Sequence, residues 1–201
     1  MAEARRAGRF IGEPGHSADP IEVEAYGPVA RAVHWAVATL AVVVVALGWT
    51  MTGAPRGGDS RELLLSLHRS VGLLILALMV FRVLWRLTHP PPPLPAGFPR
   101  LEAAAAHADH ALLYVVFLVM PLTGLLNAAA AGHPVRVFGL FAIPLLLPED
   151  PILAQVAVAI HLVGQFAVYV LVAVHVAAAL MHRFVRRNRI LDRMLPPRRL
   201  R

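Results

Sequence analysis

The sequence predicts an all-α protein: an integral-membrane four-helix bundle, up-down-up-down, with both termini cytoplasmic. Three observations carry that expectation. Hydrophobic residues make up 58% of the 201-residue chain and charged residues only 15%, against roughly 45–50% and about 25% in ordinary soluble domains. Four apolar runs approach or exceed the ~20 residues a helix needs to cross a bilayer. The basic residues, every one an arginine, are spread unevenly around those runs. A mean hydropathy of +0.64 excludes disorder for most of the chain and argues against a water-soluble globule.

Residues 1–25 mix charge, Gly and Pro without a hydrophobic period and read as a mobile extension. Arg5 and Arg6 do not make a twin-arginine signal, because no apolar run follows until Val33. The bundle domain is expected over 26–186. Its first run, Ala32 to Trp49, has no charged residue, and a Gly/Pro/charged break (TGAPRGGDSRE) follows it. The second run, from Leu63 to about Trp85, ends in THPPPPLP, a semi-rigid spacer. The third starts near His107 and contains Pro121, where a kink is tolerable if neighbours satisfy the freed carbonyl. From Gly132 to Pro151 the chain is apolar but cut by prolines, too broken to span and suited to lying at the interface or capping the bundle. The fourth run, Ile152 to Met181, would be about 45 Å of helix, which exceeds the hydrocarbon core and calls for tilt or interfacial turns. Residues 187–201 form a basic cytoplasmic tail.

Arginine counts set the orientation. Fifteen of the nineteen arginines fall on the N-terminal segment, the second-to-third connection and the tail, whereas the opposite side has only Arg56, Arg61, Arg69 and Arg136. The positive-inside bias puts both termini in the cytoplasm, with the tail beside anionic headgroups and no nucleic-acid partner.

Ten histidines and no cysteine narrow the chemistry. Without cysteine there are no disulfides, iron–sulfur clusters, thiolate metal sites or c-type haem attachment. An ionisable side chain within a span is costly and faces a cavity, a partner or a cofactor. His34, His68, His161 and His175 qualify. Their depths sort them into an outer pair, His68 with His161, and an inner pair, His34 with His175. Fourteen residues separate His161 from His175, so the two share a face of the fourth helix, about 40° apart and about 21 Å apart along the axis. That geometry suits two haems stacked across the bilayer, each iron held by two neutral imidazoles. The competing readings are hydrogen-bonded packing histidines and a histidine-lined metal-ion permease. The latter predicts carboxylate or amide partners at depth.

The stretches ARAVHWAVATL, LLLSLHRSVGLLILALMVFRVLWRLTHPPPPLP, AAHADHALLYVVFLVMPLTGLL, GHPVRVFGLFAIPLLLP and HLVGQFAVYVLVAVHVAAALMHRFVRRNRILDRMLP run from Tyr26 to about Pro197. In this order they resemble the prokaryotic cytochrome b561 family of diheme membrane proteins. The resemblance implies two haem b, with His34, His68, His161 and His175 as axial ligands, in the bacterial inner membrane. It also implies electron transfer between an outer-side donor and the ubiquinone pool; some relatives are described as superoxide oxidases. On that reading Arg69, beside His68, either pairs with haem propionates or steers an anionic substrate, and Arg31 serves the propionates of the inner haem. His182, seven residues after His175 and about 10 Å nearer the cytoplasm, becomes the candidate catalytic contact to quinone, able to donate a hydrogen bond and relay a proton. His107 and His110 either line that pocket or cap the third helix. A related alternative is the cytochrome b subunit of a hydrogenase or formate dehydrogenase complex, whose donor is a docked protein.

Overall fold

A computed structural model describes residues 24–95, 97–144 and 147–195. Four helices dominate it: α1 Pro28–Gly53, α2 Asp59–Thr88, α3 Arg100–Ala130 and α4 Pro151–Leu180. All four are long and apolar enough to cross a membrane. The expected N-terminal extension lies almost wholly outside the described residues, as do residues 196–201 of the tail.

Local chemistry explains the helix ends. Pro28 and Pro151 occupy the first turns of α1 and α4, where a missing N–H costs nothing and the fixed φ favours the helix. Asp150 caps α4 by accepting from the backbone N–H groups of Ile152 and Leu153 at 2.9 and 3.0 Å. Two helices begin earlier than the hydrophobic runs suggest. α2 starts at Asp59, with Asp59 and Glu62 in its first turn, where carboxylates favour the helix dipole. α3 starts at Arg100, because the LEAAAA segment ahead of His107 is strongly helix-forming and extends the apolar run. His107 and His110 therefore lie two or more turns inside α3 and do not cap it.

The helices pack as two pairs, α1 on α2 and α3 on α4, joined through α2 and α3, while α4 stands off from α1 and α2. Val37, Val71, Ile75 and Met79 form the buried cluster between α1 and α2, with Tyr114, Phe117 and Leu118 of α3 closing over it. Outward residues such as Val42, Trp49, Leu84, Val163 and Phe166 are exposed, as lipid-facing side chains of a spanning bundle must be. Trp49 reaches across the α1–α4 gap, its Nε1–H donating to the Tyr169 hydroxyl at 2.7 Å.

The broken segment between α3 and α4 caps the bundle with a small hairpin. β1 Val135–Val137 pairs antiparallel with β2 Phe141–Ile143. Phe138 and Gly139 take positive φ at its turn, 49° and 74°, a conformation that glycine adopts without strain. Ser70 of α2, wholly buried, holds the hairpin by donating to the Arg136 carbonyl at 3.2 Å and accepting from the Phe138 N–H at 2.8 Å.

At the opposite end, the terminal face, the first and last described segments meet, the Tyr26 N–H donating to the Arg193 carbonyl at 3.1 Å. Arg193, buried in a 3-10 turn at Leu191–Arg193, donates to the carbonyls of Glu24, Pro92 and Pro93. Trp35 Nε1–H donates to the Met194 carbonyl at 2.8 Å. The tail as far as Leu195 is thus folded back under the bundle rather than extended.

Candidate functional site

Two imidazole pairs face one another across the seam between α4 and the α1–α2 pair. His34 of α1 and His175 of α4 have ring centroids 6.2 Å apart near the terminal face. His68 of α2 and His161 of α4 have centroids 6.1 Å apart near the hairpin end, the distal face. All four rings are half-buried. Helix direction explains the sorting: α1 and α4 carry His34 and His175 at the terminal end, and α2 starts from the distal end with His68 three turns in.

Each ring is held through Nδ1, and the holders differ by level. At the distal face His68 Nδ1 faces the Val44 carbonyl at 3.0 Å. His161 Nδ1 faces the Met120 carbonyl at 2.9 Å, with the Thr123 hydroxyl at 3.1 Å. An Nδ1–H donating to a carbonyl leaves Nε2 as the free lone pair. Met120 immediately precedes Pro121, so the proline predicted to break α3 lies beside the residue that orients His161. At the terminal face His175 Nδ1 meets Asp109 Oδ2 at 2.8 Å. His34 Nδ1 meets Arg82 Nη1 at 3.0 Å. Arg82 also donates from Nε to the Tyr114 hydroxyl at 3.0 Å, and the guanidinium groups of Arg82 and Arg86 both lie over the Tyr114 ring.

The pairs fit b-type haem by three tests on the chain's own atoms. Two metal–imidazole bonds of about 2 Å plus two ring half-widths of about 1 Å span about 6 Å, close to both separations. α4 packs on α3 and not closely on α1 or α2, so the facing rings approach one another across that seam. Gly48 and Gly124 sit against the distal rings, where an added Cβ would lie 3.4 Å from Cε1 of His68 and of His161 respectively. His34, His68, His161 and His175 are the residues that would hold the two irons.

His182 falls in a single π-helical turn, Met181–Val185, that ends α4, a feature often found at functional positions. It is 8% exposed. Asn188 Nδ2 donates to its Nδ1 at 2.9 Å, so neutral His182 carries its proton on Nε2, which points at Glu102 Oε2 3.9 Å away. Glu102 is also paired with Arg186, and the Phe98 ring covers the imidazole at 5.4 Å. The result is a covered acid–base pair at the terminal face. A separate cavity at the terminal face, to which His182 and Glu102 do not contribute, is lined by Tyr26, Val33, Phe81, Trp85 and Tyr114 together with Arg82 and Arg86.

The arginines expected at the cofactor divide. Arg31 donates to the Leu195 carbonyl at 2.7 Å and ties α1 to the tail. Arg69 is half-buried beside His68 and forms no ion pair among the described residues. The arginine in contact with a paired imidazole is Arg82, which sequence reasoning counted only toward topology. Asp109 was also missed: it precedes His110, whose ring lies 5.4 Å from His175. The signal was present in the HADH stretch, where an acid between two histidines lies within an apolar helix. Asp109, His110 and His175 have ligand atoms within 4.8 Å of one another, which gives the metal-ion alternative one cluster. A transport path needs such donors at successive depths, and the distal level offers backbone carbonyls instead.

Residues 25–197 match the family described as prokaryotic cytochrome b561. The chain is 37% identical over 174 residues to Cytochrome b561 homolog 2 of Escherichia coli, covering 86% of this chain and 92% of that one. It is 30% identical over 171 residues to a protein of Yersinia pestis named Probable superoxide oxidase CybB, covering 83% and 93%. Cytochrome b561 homolog 1 of Escherichia coli is 28% identical over 168 residues, covering 83% and 94%.

Proposed function

The chain belongs to the prokaryotic cytochrome b561 family, a multi-pass electron-transfer protein of the bacterial inner membrane, and from that premise we propose that it is a diheme cytochrome linking a donor at the distal face to ubiquinone at the terminal face. The observation that carries the proposal is the presence of two imidazole pairs at two depths, each about 6 Å from centroid to centroid. When bound, each haem supplies a one-electron ferric/ferrous couple. The chain does the rest. Four neutral imidazoles bring no formal charge into the lipid, and the Nδ1 partners of His68, His161 and His175, all acceptors, fix those three rings so that Nε2 is presented.

On this reading the distal face is periplasmic and both termini are cytoplasmic, following the arginine bias. The donor is superoxide, the activity that the name of the Yersinia pestis relative carries. Arg56, Arg61, Arg69 and Arg136 are the cations of that face and are matched in number by Asp59, Glu62, Glu149 and Asp150, so attraction of a small anion there is local to an arginine such as Arg69 rather than a net field. Two superoxide ions release two molecules of dioxygen and two electrons, and ubiquinone takes those electrons with two cytoplasmic protons to become ubiquinol. His182 is the catalytic residue at quinone: its Nε2–H donates to a quinone oxygen, and Glu102 beside it resupplies the proton.

Purified protein tests the reading in two steps. A dithionite-reduced spectrum with a b-type α band, and a pyridine haemochrome assay giving two haems per chain, are expected; one haem or none overturns the diheme assignment. Enzymatically generated superoxide with a soluble ubiquinone is expected to yield one quinol per two superoxide ions consumed. No quinol, together with co-purification of a large periplasmic protein, would favour the hydrogenase- or formate dehydrogenase-type subunit instead.

A further inference from the structure

The terminal pair has a carboxylate where the distal pair has none. Asp109 lies on α3, 15% exposed at its side chain, and its Oδ2 accepts the Nδ1–H of His175 at 2.8 Å. Its other oxygen, Oδ1, is buried without a hydrogen-bond partner. Among the described residues no arginine pairs with it: Arg82 is engaged with His34 and Tyr114, and Arg86 lies over Tyr114. A carboxylate within a spanning helix is costly unless a positive charge answers it. Among the described residues the imidazoles that face this carboxylate are His175 and His110, whose ring lies 5.4 Å from that of His175; with both neutral, a metal cation held at His175 Nε2 would answer its charge.

We propose that Asp109 is a positioning residue that backs His175 with a full negative charge and thereby lowers the reduction potential of the terminal-face haem. The inference rests on His175 being an iron ligand, as in the functional reading above. A carboxylate accepting from Nδ1–H fixes the tautomer and raises the basicity of the ligating nitrogen. It also places a negative charge behind the ligating ring, which would favour the ferric over the ferrous state of a bound haem. His161, in the matching place on the same face of α4, leans on the neutral Met120 carbonyl and receives no such charge. Arg82 acts on the opposite ligand, His34, in the opposite sense. The effect of Asp109 is therefore read as a difference on substitution. The consequence is directional: the carboxylate makes the terminal couple a better reductant on the side where His182 lies.

The test is a spectroelectrochemical titration of purified wild type, Asp109→Asn and Asp109→Glu. Asparagine keeps an acceptor for Nδ1–H and removes the charge. The expected result is two haems retained, with the terminal-haem ferrous/ferric ratio raised about tenfold at fixed potential, an upward shift of about 59 mV for one electron. The distal midpoint is expected to stay in place, and Asp109→Glu to restore the wild-type value. Should Asp109→Asn lose the terminal haem while Asp109→Glu keeps it at the wild-type midpoint, the charge assignment stands. An Asn variant with both haems at unshifted midpoints overturns it, as does an equal shift of both haems or loss of the terminal haem in both variants. The functional reading fails separately, if wild type itself shows no b-type spectrum.

Discussion

At the distal level His68 and His161 lean on the carbonyls of Val44 and Met120 and are flanked by Gly48 and Gly124, whereas at the terminal level His34 and His175 face Arg82 and Asp109. The rings are equally spaced and equally buried, so the difference lies in what stands behind them. Backbone carbonyls are supplied by helix packing and hold a ring in place with little net charge. Side-chain charges hold it as well, and they also bias the electronic state of whatever the ring binds. The distal level is thus built for fit and the terminal level for tuning. Among the described residues the terminal level alone has an acid–base pair beside it, His182 with Glu102, which is where the proposed quinone reduction would take up its protons.

The sharpest way to break the comparison is to remove one ring from each level. His161→Ala and His68→Ala are each expected to take haem content from two per chain to one and to remove the same spectral component. His34→Ala and His175→Ala are expected to remove the other. Haem assay and low-temperature spectra distinguish these results. If His68→Ala and His34→Ala removed the same component, the division into levels would be wrong.

A smaller effect separates binding from turnover. His182→Ala is expected to keep both haems and slow quinone turnover about a hundredfold, the low end for loss of a positioned general acid. Glu102→Gln should reproduce part of that loss. Stopped-flow haem reoxidation by a soluble quinone reads the step directly, and wild-type kinetics in His182→Ala would remove it from the quinone site.

The ease of reading the two levels from sequence was as unequal as their construction. The four rings and their depths follow from apolar run lengths and the fourteen-residue spacing, because helical period and bilayer thickness leave little freedom. Their supports do not follow so simply. Val44 and Met120 act through carbonyls, which every residue has, so no residue type marks them. Asp109 carried a signal that was obscured by starting the third helix near His107. With that boundary the HADH stretch looked like a helix entrance, where acids and histidines are ordinary, rather than a turn inside the helix that half-buries Asp109 and His110. The hairpin was illegible for another reason: three-residue strands in a proline-broken apolar segment have no period to detect, and what fixes them is a hydrogen bond to Ser70, sixty-odd residues away.

The glycines test whether the distal level is a matter of fit. A methyl at Gly124 would meet His161 Cε1 at 3.4 Å, a tight but bearable contact. Gly124→Ala should therefore leave distal haem affinity nearly unchanged, helped by the better helix propensity of alanine. Gly124→Val must push the ring, and overpacking of about 1–3 kcal/mol corresponds to roughly a tenfold or greater loss of distal haem affinity. The terminal haem should be untouched. Equal loss of both haems, measured by haem titration of the apoprotein, would mean that the substitution disrupts the bundle rather than the distal site.

The smallest expected effect bears most directly on tuning. A guanidinium can only donate, so against Arg82 the Nδ1 of His34 is an acceptor and its proton sits on Nε2. For His34 to hold iron at Nε2 its proton would have to move to Nδ1; Arg82 would then keep its bond to the Tyr114 hydroxyl and remain a positive charge near the ligand. Arg82→Gln should then lower the terminal midpoint, opposite in sign to Asp109→Asn. It should be smaller, several-fold in the ferrous/ferric ratio, because a half-buried guanidinium is better screened than a carboxylate bonded to the ring. A shift of the same sign as Asp109→Asn would remove Arg82 from the electrostatic account. The double variant completes the argument, since charges on opposite ligands that act independently give additive shifts. A combined midpoint that departs from the sum would mean that His34 and His175 respond as one coupled unit, a property not expected of the distal pair, whose Nδ1 atoms are bonded to carbonyls rather than to charged side chains.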